Sequence, residues 1–129
     1  MKQKSILTFF TLAMVFASAC GVKKDSAGLA GRWVLTQSLS DPGDGSGKWE
    51  TSSEKSLIEF KADGTVSSDR FAEFKAYRIS DSTHIEFAQT DGQFIRYRYK
   101  VSGNLLEINP PCREACGFRF RRSRDRGSN

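Results

Sequence analysis

The sequence predicts an all-β domain, a small up-and-down antiparallel β-barrel of about eight strands. Three observations carry that expectation. Apolar residues recur at every second position in short runs, most cleanly where Ile95, Tyr97, Tyr99 and Val101 alternate with Arg96, Arg98 and Lys100. Turn signals such as Asp63-Gly64 and Asp91-Gly92 break these runs at short intervals. No helix of useful length is visible after the first twenty residues. Short strands joined by tight turns favour a meander over a Greek key, and a meander of eight can close on itself and remove its exposed edges.

The elements follow in order. Gly31 to Leu39 reads as the first strand, with Trp33, Leu35, Gln37 and Leu39 on one face. A long loop, Asp41-Pro42-Gly43-Asp44-Gly45-Ser46-Gly47, leads past Lys48 and Trp49 to a strand from Leu57 to Lys61 with Ile58 and Phe60 inward. Asp63-Gly64 turns the chain into Thr65 to Ser68. Phe71 to Ile79 reads as another strand, with Tyr77 and Ile79 inward, closed by Asp81-Ser82-Thr83. His84 to Gln89 turns Ile85 and Phe87 inward and His84 outward. After Gln93 to Val101, Ser102-Gly103-Asn104 turns into Leu105 to Asn109, with Leu106 and Ile108 inward. Pro110-Pro111 stops that strand, and Gly117 to Arg122 makes the last, with Phe118 and Phe120 inward.

The N-terminus supplies an address. Lys2 and Lys4 precede an apolar run from Ile6 to Phe16 that ends in the small residues Ala17, Ser18 and Ala19, the anatomy of a signal peptide and too short for a comfortable membrane span. Ala17-Ser18-Ala19-Cys20-Gly21 resembles a bacterial lipobox, with Ala17 in place of the usual leucine. That resemblance implies cleavage before Cys20 and acylation of its thiol, which holds a protein on a bilayer at ~0.8 kcal/mol per buried methylene. The chain then divides into a signal peptide at 1–19, a tether at 20–30, a barrel domain at 31–122 and a basic tail at 123–129.

Charge and cysteines narrow the class. Without Lys2 and Lys4 the chain has 18 basic and 15 acidic residues, and residues 20 to 112 hold 12 basic against 13 acidic, so the excess collects in the last seventeen residues. A nucleic-acid binder spreads basic charge over a folded face, so no nucleic acid is expected. Cys112 and Cys116 are the thiols left once Cys20 is acylated, and in an exported protein a disulfide between them is expected. The alternative metal pair lacks ligands, since the one histidine, His84, is far away in sequence. Asp41, Asp44 and Ser46 have the oxygens of a calcium cradle, but Ser52 stands where an EF-hand loop needs an acid. No metal or cofactor is expected.

Gly31-Arg32-Trp33, followed by a long loop, resembles the G-x-W signature of lipocalins. The closer resemblance is to the bacterial lipocalin-like domain lipoproteins, with G-x-W at Gly31 and Trp33, D-P-G-D-G-S-G at Asp41 to Gly47, I-E-F-K-x-D-G-T at Ile58 to Thr65, and C-x-x-x-C-G-x-x-F at Cys112, Cys116, Gly117 and Phe120. The resemblance spans nearly all of the chain after Cys20. It implies a lipocalin-like barrel that holds a small apolar ligand, although the chain is shorter than larger lipocalins and shows no C-terminal helix to pack on the barrel.

Two roles follow for the inward aromatics Trp33, Phe60, Tyr77, Phe87, Tyr97 and Tyr99. They line a calyx for a small hydrophobic ligand, or they fill the barrel and leave its exterior to act on a protein partner or the envelope. Catalysis has no motif here: there is no nucleophile elbow, paired-carboxylate motif or phosphate loop. The expectation is a non-enzymatic, monomeric lipoprotein of the cell envelope, held to the membrane through Cys20. Gly21 and Val22 lack the aspartate that retains many lipoproteins at the inner membrane, which favours the outer one.

Overall fold

Period-two alternation becomes nine antiparallel strands in the computed structural model, which describes residues 28–124. The expected signal segment at 1–19, Cys20, its tether to residue 27 and the tail from residue 125 lie outside the described residues. The strands are β1 (Gly31–Ser40), β2 (Lys48–Thr51), β3 (Leu57–Phe60), β4 (Val66–Ser68), β5 (Ala76–Ile79), β6 (His84–Ala88), β7 (Phe94–Ser102), β8 (Leu105–Asn109) and β9 (Cys116–Arg122). No helix occurs among the described residues.

Pairing runs β4-β3-β1-β9-β8-β7-β6-β5. The two ends of that order meet at the bridge between Thr65 and Ala76, where Val66 N–H donates to Lys75 O at 3.1 Å and Tyr77 N–H to Gly64 O at 2.9 Å. One edge of β1 carries β3 along Gly31 to Val34 and β2 along Gln37 to Ser40, so the circuit has eight positions although nine strands are present. Each strand after β3 pairs with its predecessor in sequence except β5, which meets the β4 end only at that bridge, and β9 returns to β1, giving the expected up-and-down barrel, nearly closed. Closure leaves few unpaired backbone groups at a sheet edge.

The core lies inside the barrel, where Trp33, Ile58, Phe60, Ile85, Phe87, Leu106, Ile108 and Phe120 are at most 1% exposed. Burying each such side chain contributes about 1.5–3 kcal/mol. Leu29, placed with the tether in the sequence reading, is packed into this core.

Three local features depart from the sequence reading. A register shift between Leu35 and Gln37 puts a β-bulge in β1. An extra residue reverses the side-chain alternation beyond it. Gln37 therefore pairs with outward Arg119 and Leu39 with Gly117, so these two do not share the inward face of Trp33 and Leu35. Lys48–Thr51 is a strand where the sequence assigned no element, because Trp49 finds a partner in Leu39 on the reversed face. Phe71 to Lys75 is not strand: Phe74 N–H donates to Phe71 O at 3.0 Å, forming a turn that drops both phenyl rings into the barrel.

Candidate functional site

The predicted ligand-binding aromatics converge inside the barrel, and their environment is other side chains. Trp33 is fully buried, its indole Nε1–H donates to Leu29 O at 2.8 Å, and the Arg122 guanidinium lies 4.1 Å above its ring. Arg122 in turn donates to Ala30 O at 2.8 Å and to Gly28 O, closing that end of the barrel. Gly31 has φ of 127°, and a Cβ there would come within 2.9 Å of Arg122 Nη1. The glycine of the Gly-x-Trp motif thus has a steric reason: it lets the arginine lie over the tryptophan.

Higher in the barrel, Phe60 meets Tyr77 edge-on at 5.0 Å, and the Tyr77 hydroxyl donates to Lys61 O at 2.7 Å. Phe87 stacks on Phe74 at 4.7 Å and meets Tyr97 edge-on at 5.2 Å. Phe71 stacks on the other side of this group, 6.0 Å from Phe74 and 5.4 Å from Phe118. Burial pushes the Tyr97 phenol pKa up, with the nearby Glu73 charge adding to it. Tyr99 is half-buried, and burial followed by the charge of Asp81 raises its pKa as well. Phe71 and Phe74 complete the packing, and sequence reading assigned neither as an inward contributor. The spacing of two phenylalanines three apart between turn residues was the available signal, since that spacing fits one turn and contradicts strand alternation.

A groove of about 760 Å³ lies on the opposite side of the same sheet. Its floor follows from register. His84 pairs with Arg98 and Arg98 with Asn109, all on the outward face, and Leu39 continues that face beyond its pairing with Gly117. Gly117 is required here for space: a Cβ would come within 2.5 Å of Asn109 Nδ2 and 2.8 Å of Trp49 Cη2. The Arg119 guanidinium lies over the Trp49 ring, 3.8 Å from its centroid, and also binds Glu107 at 3.1 Å.

The opposite wall is the segment Pro110 to Cys116, held by the Cys112–Cys116 disulfide that the sequence predicted. Cys112 N–H donates to Pro110 O at 2.8 Å, and Asn109 Nδ2 donates to Cys116 O at 3.2 Å. The Asp41 loop braces it from behind, through Asp41 N–H to Ala115 O at 3.0 Å. The Asp41 carboxylate accepts from Gly43 N at 2.8 Å, Gly45 N at 3.1 Å and Gly47 N at 3.0 Å. These bonds, Gly43 first, hold its pKa below the usual carboxylate range. They also engage the oxygens that a calcium cradle would need. Among the described residues no group of three or more metal-ligating side chains occurs.

The remaining side of the groove is ionic. Asp81 accepts from Thr83 N at 2.8 Å and from Arg96 Nη2 at 2.6 Å, and its Oδ1 lies 2.9 Å from His84 Nδ1. A carboxylate only accepts, so His84 carries its proton on Nδ1 in this contact. The hydrogen bonds from Thr83 and then His84 hold the Asp81 pKa far below the usual range. His84, read from sequence as outward, is outward and part-buried in this network.

No family model, no curated protein and no solved structure matches this chain.

Proposed function

We propose that this protein is a lipid-anchored lipoprotein of the bacterial cell envelope, most consistent with the outer membrane. In this reading its barrel is a solid support and its outer wall makes the functional contacts. One observation carries the reading: the buried rings of Phe60, Phe74, Phe87 and Tyr97 pack against each other in the barrel core that also holds Trp33, while a groove of about 760 Å³ lies outside. A calyx ligand would have to displace those contacts. Lipid on Cys20 would keep the domain close to a membrane through a short tether, so its wall would meet envelope components at high effective concentration.

A second reading has its own support. Asp69 to Phe74 lies outside the strands and is held at its start by Asp69, whose carboxylate accepts from Ser56 Oγ at 2.5 Å and Leu57 N at 3.0 Å. Withdrawal of this segment with Phe71 and Phe74 would open a space for a small hydrophobic ligand beside Tyr97, Tyr99 and Phe87.

Native mass spectrometry of the protein purified from its own membranes, offered a panel of fatty acids and other apolar molecules, separates the two. The solid-barrel reading expects no retained species at high micromolar ligand. A retained apolar species that is lost on replacing both Tyr97 and Tyr99 with alanine, in a variant that still folds, overturns it in favour of the calyx. Incorporation of a labelled acyl chain that disappears with Cys20→Ser tests the anchor separately.

A further inference from the structure

We propose that the outer-wall groove binds a small amphipathic monocarboxylate, an apolar or aromatic body bearing one anionic group, with Arg98 as the anion anchor. This rests on the outer-wall reading above and adds a ligand class to it. Two segments that the sequence singles out are far apart in the chain and come together here: the Cys112–Cys116 motif lines the groove, and the Asp41–Gly47 loop supports it without lining the groove itself. The Asp41 N–H bond to Ala115 O joins them. Each segment is braced from within, one by the Asp41 carboxylate and the other by the disulfide. A wall held from two directions is pre-organised, which lowers the ordering cost of binding.

The lining specifies the chemistry. Pro110, Pro111, Ala115 and Leu39 offer apolar surface on one side. Across from them, Arg96 is engaged by Asp81 at 2.6 Å, whereas Arg98 in the middle of the floor has no ion pair or side-chain hydrogen bond among the described residues. An unpaired guanidinium is a fork of donors matched to a carboxylate. Glu114 at the rim disfavours a second negative charge on the ligand, so a monoanion fits better than a dianion. The volume of about 760 Å³ lies within the range of small-molecule sites.

The probe is 3-phenylpropionate, with its neutral amide as the control, titrated calorimetrically into the full protein in lipid nanodiscs and followed by hydrogen exchange. The acid is expected to bind roughly tenfold more tightly than the amide, as one charge-assisted contact implies. It should slow exchange in residues 110–117 and 84–98. Arg98→Gln, at an exposed outward position, should remove the preference for the acid, and Arg98→Lys should restore part of it. No binding of the acid, equal binding of the amide, or indifference to Arg98→Gln without protection of residues 69–75 each overturns the assignment and leaves the solid barrel standing. Binding that protects residues 69–75 and ignores Arg98→Gln overturns both.

Discussion

The inside and the outside of this barrel are built on the same strands for opposite purposes. In β7, Tyr97 enters the aromatic core while its neighbours Arg96 and Arg98 face the groove, and in β6 Ile85 is buried beside outward His84. Inside, the polar atoms of Trp33 and Tyr77 are satisfied by backbone carbonyls, and among the described residues no carboxylate, ammonium or guanidinium side chain is buried. Outside, charges, prolines and a disulfide share one concave surface. The two-residue period of a strand therefore separates the packed core from the face proposed for recognition. Changes on one face are expected to leave the other largely intact.

The largest effect is expected at Trp33. Trp33→Ala would leave a cavity at the closed end, remove the ring beneath Arg122 and leave Leu29 O without its indole donor. A loss of about 3–5 kcal/mol follows from large-to-small core changes, a large share of the stability of a small domain. Urea unfolding followed by far-ultraviolet circular dichroism measures it. A loss below about 1 kcal/mol would mean that the core is not organised around this ring.

Phe74→Ala comes next, at about 3 kcal/mol, and it sharpens the contrast because it acts on the segment that plugs the barrel. The ring stacks between Phe71 and Phe87, so its removal leaves an apolar space lined by rings. A dry apolar cavity of this kind takes up benzene-like molecules. The variant should gain affinity for such a probe that the wild type lacks, read as a ligand-dependent rise in melting temperature. A wild type that already shows the rise would place an accessible calyx in the native protein.

The contrast between the two faces also explains what the sequence made legible. Alternation and Asp-Gly turns located the strands because both are local: β7 reads directly from Ile95 to Val101, and the Cys112–Cys116 pair followed from their being the two thiols left once Cys20 is set aside. The bulge at β1 was hidden, since Gln37 and Leu39 continue the alternation of Trp33 and Leu35, and only pairing with β9 reveals the shift. Phe71 and Phe74 were misread as strand because β-propensity favours phenylalanine, whereas tertiary packing against Phe87 and Tyr97 decides the turn. The groove was not legible at all. His84, Arg98 and Leu39 come from three separated stretches, and each alone reads as an ordinary strand position.

Removing the disulfide tests whether the groove wall is independent of the core. Cys112→Ser combined with Cys116→Ser should cost about 2 kcal/mol or less, the chain-entropy value for so short a loop. Hydrogen exchange should quicken in residues 110–116 and, through the Asp41 bond to Ala115, in residues 41–47. The core amides of β6 and β7 should change only in proportion to global stability. Equal acceleration of the aromatic core would show that wall and core unfold as one unit, against the separation argued here.

The smallest effect is expected at Asp81, and its pH dependence gives it away. Its folded-state pKa is depressed, chiefly by the Thr83 N–H and then by His84, so the ionised form is the one that the fold favours. A depressed carboxylate contributes stability above its unfolded pKa of about 3.9 and loses that contribution as the pH falls toward the folded value. Asp81→Asn removes the charge while keeping a similar shape. Its melting temperature should therefore lie below that of the wild type by a small margin above about pH 5, and the margin should narrow as the solution is acidified below about pH 4. Because the carboxylate is solvent-exposed, salt should shrink the same margin at neutral pH. A margin that widens on acidification below about pH 4 would mean that Asp81 is held in its protonated form, and the network joining Arg96, His84 and Asp81 along the groove would then have the wrong charge to orient Arg96.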